Sequence, residues 1–386
     1  MRNIAFFPVL VIIFLFSANN IISGEEITIS DEQITVNKEQ LTSNNEQITE
    51  NSEQNSVNHQ ELMVNKKSHT VTSGKKQEYS FSIGQQYGFV HAQAVEIVYP
   101  TDTKGKYLSE LLWDMKQLFY LGIQAEFGLD DIMSKAGFFS DLSFKAGFPG
   151  DTGDIEDRDW LSLENSNLTH YSIHNNKTRE FFIIDFRNGA SIPLSFLYIK
   201  PFLNFSWMRF SFSGNNGHGE YARGKKYDNN GSPIEDNSSN PSMYFPISDN
   251  PKIYPFTGEV ITYEQNWLLL APGFTLGTRI LSPFSFDLSF QISPLTYCAS
   301  LDNHLTTQAI YHDFTYLGLF LESAGNVSFN WEFIKLSIEF SYRYISDTKG
   351  VTYQGSQNSA YVFLSSNESG AGLSMMDTRF LFKFKF

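Results

Sequence analysis

The stretch RFLFKFKF, residues 379–386, alternates one residue at a time between two kinds of side chain. Successive side chains of a β-strand point to opposite faces, so one face here is entirely Phe and the other is mostly Arg and Lys. A soluble protein would not normally leave so aromatic a strand face exposed. A strand that meets lipid on one side and a polar lumen on the other would carry this pattern. The stretch therefore predicts a transmembrane β-strand.

The same period of two recurs upstream, for example in residues 284–293 and 334–344. No run of 18 apolar residues follows residue 24, which argues against spanning helices. We predict an all-β fold, a ten-stranded antiparallel transmembrane β-barrel over residues 78–386, with both termini on the periplasmic side. The ten predicted segments are 79–99, 107–126, 134–150, 178–190, 192–213, 258–278, 280–303, 304–323, 325–346 and 371–386. Residues 213–257 and 347–370, rich in Asn, Gly and Ser, are predicted as extracellular loops.

Composition agrees with a membrane-facing chain. Aromatic residues make up 16% of the sequence and charged residues 18%, and the formal net charge is −14. The acidic balance argues against nucleic acid as a partner. The single cysteine, Cys298, excludes an intrachain disulfide.

The first 77 residues contain two segments of a different kind. Residues 1–24 have a short basic start, an apolar run from Ile4 to Phe16 and a small polar end, as in a secretory signal peptide. Residues 24–65 then repeat every seven residues, beginning GEEITIS and DEQITVN. The apolar positions of each unit lie two apart, so a helix would not align them in a seam. We therefore predict a disordered, periplasmic tail over residues 25–77, with a weak oligomerising or peptidoglycan-contacting element as the alternative.

Two short motifs could carry chemistry. Asp157 and Asp159 are two apart, as are Asp302 and His304, so each pair shares one face of an extended chain. A carboxylate beside an imidazole orients it and makes it a better base, and two close carboxylates can hold a water. If the pairs face each other across the barrel mouth, they form a water-activating hydrolytic site. Asp302 and His304 face the lumen only if a one-residue bulge lies at Ser293–Pro294, which we predict.

With these motifs the chain from about Tyr79 to Phe386 resembles the omptins, outer-membrane endopeptidases built on ten-stranded barrels. An Asp-x-Asp-Trp motif after strand three and an Asp-x-His motif after strand seven carry catalysis in that family, and they match Asp157, Asp159, Asp302 and His304. The resemblance implies that His304, oriented by Asp302, and one Asp of the 157/159 pair activate a water. That water would attack a peptide carbonyl at the cell exterior, while the remaining carboxylate assists proton transfer.

The resemblance also implies binding sites, and this chain departs from them. Glu96 matches a family Glu that receives a basic substrate side chain, but Ser300 stands where the family has a second acid. Losing one charge-assisted partner weakens recognition by about 1–3 kcal/mol, so polypeptide substrates are expected to be cationic without a certain preference for Arg or Lys. Arg209 matches the family's lipopolysaccharide-binding Arg. Phe205, Trp207 and Asn266 replace other members of that cluster, so we expect a weaker dependence on lipopolysaccharide.

Other candidate residues carry less. His170 and His174 are four apart, but they fall in a predicted loop and lack a Glu that would complete a zinc motif, so no metal site and no cofactor are predicted. His312 and Asp313 are predicted to form a hydrogen-bonded pair in the lumen. Two functions compete with a peptidase: a non-enzymatic barrel that acts as surface adhesin or scaffold, and a small pore, whose conductance should be low because side chains largely fill a ten-stranded barrel.

Overall fold

The computed structural model of this protein describes residues 79–100, 106–133, 136–236, 243–278, 282–356 and 359–386. The predicted signal peptide and repeat tail lie outside the described residues. Sixteen β-strands are found in the described part of the chain, and no helix there is long and apolar enough to cross a membrane. The strands are β1 (Tyr79–Val98), β2 (Ser109–Met133), β3 (Ala136–Gly147), β4 (Gly150–Asp159), β5 (His170–Leu194), β6 (Leu197–Tyr221), β7 (Gly224–Tyr227), β8 (Pro233–Asp236), β9 (Lys252–Thr278), β10 (Phe284–Ser293), β11 (Thr296–His304), β12 (Ala309–Tyr316), β13 (Phe320–Trp331), β14 (Ile334–Ile345), β15 (Lys349–Gly355) and β16 (Val362–Lys385).

Ten antiparallel strands form a closed ring, as predicted. At the end of the barrel that holds Tyr79 and Phe386 the order is β1-β2-β3-β5-β6-β9-β10-β13-β14-β16, and β16 pairs back onto β1 with Ser82 opposite Lys385. At the other end β4, β11, β12 and β15 take the places of β3, β10, β13 and β14. Four of the ten barrel strands are therefore interrupted by short breaks, and β7 and β8 form a separate hairpin.

Several predicted strand boundaries are wrong. Strands β5, β6 and β9 have 25, 25 and 27 residues, so they continue into the segments predicted as loops. Residues 349–355 and 362–370 are also strand. The predicted segment 325–346 crosses a hairpin turn, since β13 ends at Trp331 and β14 begins at Ile334. Crossing a bilayer needs about 9–11 residues, and beyond it neither strand face has to be apolar, so the alternation that marks a strand fades.

The bulge predicted at Ser293–Pro294 is present. From Gln291 to Thr296 the chain advances five residues while its partner β9 advances four, from Gly273 to Leu269. Pro294 and Leu295 are both exposed, whereas Ser293 and Thr296 are buried. The extra residue moves the inward side chains from odd to even positions, and Asp302 is consequently buried.

The outer face carries an apolar belt at the end of the barrel that holds Tyr79 and Phe386. On β1 it reaches Phe89, and on the seventh barrel strand it reaches Tyr297, both of which are exposed. We take this belt as the membrane-spanning part. Further along the strands, the lumen is filled by buried aromatic rings, with Trp113 stacked on Phe212 and Tyr263 at centroid distances of 5.6 and 5.1 Å. The residues of the candidate site lie beyond the belt, at the end of the barrel opposite Tyr79 and Phe386, which we call the mouth.

Candidate active site

Two strands on different sides of the mouth carry the predicted motifs. Asp157 and Asp159 belong to β4, not to a loop after strand three, and their cross-strand partners on β5 are Ser172 and His170. Asp302 and His304 end β11, opposite Tyr263 and Ile261 of β9. Regular pairing on both sides holds each motif extended, so the two residues of a pair point the same way.

The Asp302 and His304 side chains are in contact. His304 Nε2 lies 2.5 Å from Asp302 Oδ2, and the Asp302 side chain is 3% exposed against 36% for His304. The His304 and Tyr311 rings form a T-shaped contact with 5.7 Å between their centroids. Burial alone would lower the pKa of His304, but the attraction and hydrogen bond of Asp302, together with the charges of Asp157 and Asp159, raise it. The contact through Nε2 thus orients the imidazole and leaves Nδ1 as the ring nitrogen that Asp302 does not contact. The imidazole is also more basic than usual.

Asp157 and Asp159 form an acidic pair that faces His304. Burial, followed by the charge of Asp159, raises the pKa of Asp157 well above its usual value. Burial also raises the pKa of Asp159 to about 6, although a hydrogen bond from Ser109 opposes the shift. His304 acts on both carboxyl groups in the opposite sense to burial. The four residues predicted from the sequence therefore form one electrostatic cluster.

Glu96 and Ser300 adjoin the same cluster, Glu96 from β1 and Ser300 from β11, two positions before Asp302. Glu96 is 6% exposed, and its pKa is raised well above the usual value by burial and by the charges of Asp302, Asp313 and Asp157. Its Oε2 atom has no hydrogen-bond partner within the described residues, and the same holds for Oδ1 of Asp157 and of Asp302. Three carboxyl oxygens of the mouth are thus left available to a ligand or water.

Asp313 is an acid of this site that sequence reasoning missed. It lies directly across the β11–β12 pair from Ser300, and Ser300 Oγ donates to its Oδ2 at 3.3 Å. Thr352 Oγ1 donates to Oδ1 at 2.7 Å, and the carboxyl is buried. The predicted pair of Asp313 with His312 is wrong, because neighbours on a strand face opposite sides and the His312 ring packs on Tyr361 at 4.8 Å. Only the register of the two strands could have shown that Asp313 meets Ser300.

His170 and His174 lie on strand β5, so the predicted loop is wrong. Burial lowers the pKa of His170 to about 4, and its ring packs against Tyr221 and Tyr244 at 4.8 and 5.0 Å. His174 Nε2 lies 3.0 Å from Ser172 Oγ, which in turn lies 3.4 Å from Asp157 Oδ2. Within the described residues, no three or more His, Cys, Asp or Glu side chains are grouped so that they could hold a metal ion.

Arg209 lies on the outer face of β6. Its Nε bonds Glu180 Oε2 at 2.5 Å, Nη2 lies 3.1 Å from Glu264 Oε2, and Nη1 lies 3.4 Å from Asn266 Oδ1. The guanidinium is therefore held by two carboxylates.

Comparison with known proteins decides the family. The sequence model of the Omptin family matches residues 77–240 and 241–386, most of the chain. The chain belongs to the Omptin family. It is accordingly an outer-membrane protease, a peptide hydrolase of the bacterial outer membrane that acts on polypeptides. No curated protein sequence matches it significantly.

The solved structure of an outer membrane protease has the same fold. The outer membrane protease OmpT from Escherichia coli superposes with a TM-score of 0.66 at 17% identity, covering 80% of this omptin and 97% of OmpT. The toluene transporter TodX of Pseudomonas putida, at 8% identity and 80% and 90% coverage, reaches a TM-score of only 0.27. A FadL homologue of Pseudomonas aeruginosa, at 7% identity and the same coverage, reaches 0.22. The last two are too dissimilar to carry an argument.

Proposed function

We propose that this omptin is a surface endopeptidase, of the aspartic type, that cleaves peptide bonds with a water held between Asp157/Asp159 and Asp302/His304 at the extracellular mouth. The observation that carries the proposal is the 2.5 Å contact of Asp302 with His304, in a cluster whose other members are two carboxyl groups of raised pKa. A base that is oriented by a buried carboxylate and faces an acidic pair has the groups that water activation needs.

The chemistry follows from these positions. Asp302 occupies Nε2 of His304, so Nδ1 is the nitrogen that takes a proton from the water. The resulting hydroxide attacks the peptide carbonyl carbon, and the imidazolium is stabilised by Asp302. The tetrahedral intermediate then collapses as the C–N bond breaks and the amine nitrogen receives a proton. One aspartate of the β4 pair holds the water, and the other assists this proton transfer.

We propose that the buried acids below the water bind a cationic substrate side chain. Glu96 has an unpartnered Oε2, and Asp313 supplies a carboxylate at the position where Ser300 replaces a family acid. The repulsion between Glu96, Asp302 and Asp313 would be relieved by a guanidinium or ammonium group. Ser300 would act by orienting Asp313.

We propose that no cofactor takes part and that lipopolysaccharide has at most a weak effect. Arg209 is already paired with Glu180 and Glu264, whose charges would repel phosphate groups.

The test is cleavage of a mixed peptide library by the full chain folded in detergent, with and without lipopolysaccharide, beside His304→Ala. We expect the parent to cleave after basic residues and the variant to be inactive. If neither cleaves although both barrels are folded, the non-enzymatic adhesin or scaffold becomes the better hypothesis. Equal cleavage by both would exclude the proposed site.

A further inference from the structure

A chain of hydrogen bonds leads away from Asp157 into the barrel wall. Asp157 Oδ2 lies 3.4 Å from Ser172 Oγ, Ser172 Oγ lies 3.0 Å from His174 Nε2, and His174 Nδ1 lies 2.6 Å from the backbone oxygen of Asn216. Ser172 and His174 are 3% and 6% exposed. The chain ends on a carbonyl, and this end determines the direction of every bond in it.

The direction follows from the number of protons available. A carbonyl oxygen can only accept, so His174 Nδ1 must carry a proton. Burial lowers the pKa of His174 more than its bond to Asn216 raises it, so the ring is neutral. Since its one proton is on Nδ1, Nε2 is unprotonated and can only accept a hydrogen bond. The unprotonated Nε2 of His174 needs a hydrogen-bond donor, and the Ser172 hydroxyl lies within hydrogen-bond distance of it. Its single proton is therefore committed to His174.

This leaves Ser172 with only lone pairs for Asp157. Two oxygens that approach without a proton between them repel, so the contact is favourable only if Asp157 contributes the proton. Each aspartate has a serine partner whose hydroxyl would favour the ionised form, Ser172 for Asp157 and Ser109 for Asp159. The Ser172 hydroxyl cannot do so while its proton is bonded to His174. The two aspartates of the pair are thus distinguished by their hydrogen-bond partners.

We infer that Asp157 is the protonated member of the acidic pair, held in that state through Oδ2 by Ser172 and His174, while Asp159 carries the charge. Its catalytic consequence rests on the proposed function: Oδ1 of the neutral Asp157 accepts a hydrogen bond from the attacking water, and the pair carries one negative charge. Ser172 and His174 are positioning residues, because they act through Asp157. Ionisation of Asp157 would add a second charge beside the water and weaken the arrangement.

Several titratable groups act on or near Asp157 and must be considered in any pH experiment. They are Asp159 on β4, His304 and Asp302 on β11, Glu96 on β1 and Tyr221 on β6. His218 of β6 acts on His174. A variant that alters the Ser172–His174 chain leaves all of these groups in place, so a shift it causes is assigned to the chain.

The test is infrared titration of protonated carboxyl groups in the full chain, folded in detergent. The band that disappears in Asp157→Asn is followed against pH in the parent, in Ser172→Ala and in His174→Phe, with exposed His91→Gln as the control. Ser172→Ala removes an acceptor of the Asp157 proton, and His174→Phe frees the Ser172 hydroxyl to donate to the carboxylate. Both should lower the midpoint, by about one pH unit, and the control should leave it unchanged.

The sign of the shift decides the outcome. If Ser172 donates to an ionised Asp157 instead, Ser172→Ala removes a bond that stabilises the charge and the midpoint rises. A rise, or no change in both variants, would overturn the inference. His174→Phe keeps the test open if Ser172→Ala does not fold. The band is read without turnover, so this result is independent of whether the peptidase proposal holds. In an active enzyme, the alkaline limb of kcat/KM should move to lower pH in both variants.

Discussion

The part of the lumen nearer Tyr79 and Phe386, which we call the lower lumen, and the mouth of this barrel both bury charged side chains. The two regions differ in whether those charges are paired. In the lower lumen Arg343 bonds Asp185 at 3.2 Å and Glu322 at 2.5 Å, and Lys145 bonds Asp377 at 2.5 Å. At the mouth the carboxyl groups outnumber the cations, and Glu96, Asp157 and Asp302 each keep an unpartnered oxygen. Paired ions satisfy a polar interior, whereas unpaired acids store repulsion that a water or a cationic substrate can relieve. The paired ions of the first region serve the fold, and the unpaired acids of the second are the groups that the proposed function uses for chemistry.

The largest expected effect is at the mouth. Asp302→Asn keeps the size of the side chain but removes the charge that raises the pKa of His304, so cleavage should fall by about 10²–10⁴-fold. His304 must be neutral to accept a proton, so activity rises as pH passes upward through its pKa. The variant should therefore move the acid limb of the pH–rate profile to lower pH.

The measurement is kcat/KM against pH on a cleaved peptide, with thermal unfolding as the control for folding. An unchanged acid limb would show that Asp302 does not set the basicity of His304.

The next effect tests the lower lumen. Arg343→Met leaves Asp185 and Glu322 buried without their main partner, which should cost about 3 kcal/mol or more in the free energy of unfolding. The matched control is Arg179→Met, which removes an exposed pair with Glu259 and should change stability by about 1 kcal/mol or less. Urea unfolding in detergent measures both. Equal losses in the two variants would refute the contrast between buried and exposed pairs.

A smaller effect is confined to substrate choice. Asp313→Asn removes the carboxylate opposite Ser300, and kcat/KM for peptides with Arg or Lys at the cleaved position should fall about 10–100-fold. Peptides with a neutral side chain there should be cleaved as before. Paired peptides that differ only at this residue measure the ratio. A parallel loss on both peptides would mean that Asp313 supports the structure and not specificity.

The smallest effect is expected for a substitution on the outer face of the barrel. Arg209→Gln should change the stimulation of cleavage by lipopolysaccharide by less than about twofold, because the guanidinium is already bonded to Glu180 and Glu264 and surface pairs contribute little. Activity titrated with lipopolysaccharide measures it. Complete loss of stimulation would show that the lipid displaces these carboxylates.

Much of this protein was predictable from residues close in sequence. The alternation that ends in Phe386 indicated membrane strands and their number, because a strand between lipid and a polar lumen must alternate. The parity of Ser293 and Asp302 predicted the bulge for the same reason. The boundaries of β5, β6 and β9 failed beyond the belt, where lipid no longer selects the outward residues. The four residues of the two motifs were recognisable because each pair lies within three positions.

The sequence by itself determined the membrane-facing pattern, the ten-strand count and the two motifs, since these depend on side-chain order along one strand. Tertiary structure alone decided which strands meet and in what register. It placed Asp313 opposite Ser300, and it brought Ser172, His174 and the Asn216 carbonyl behind Asp157. Hydrogen-bond register between strands depends on the closure of the whole ring, so contacts across 13 or 42 residues are invisible to a local pattern.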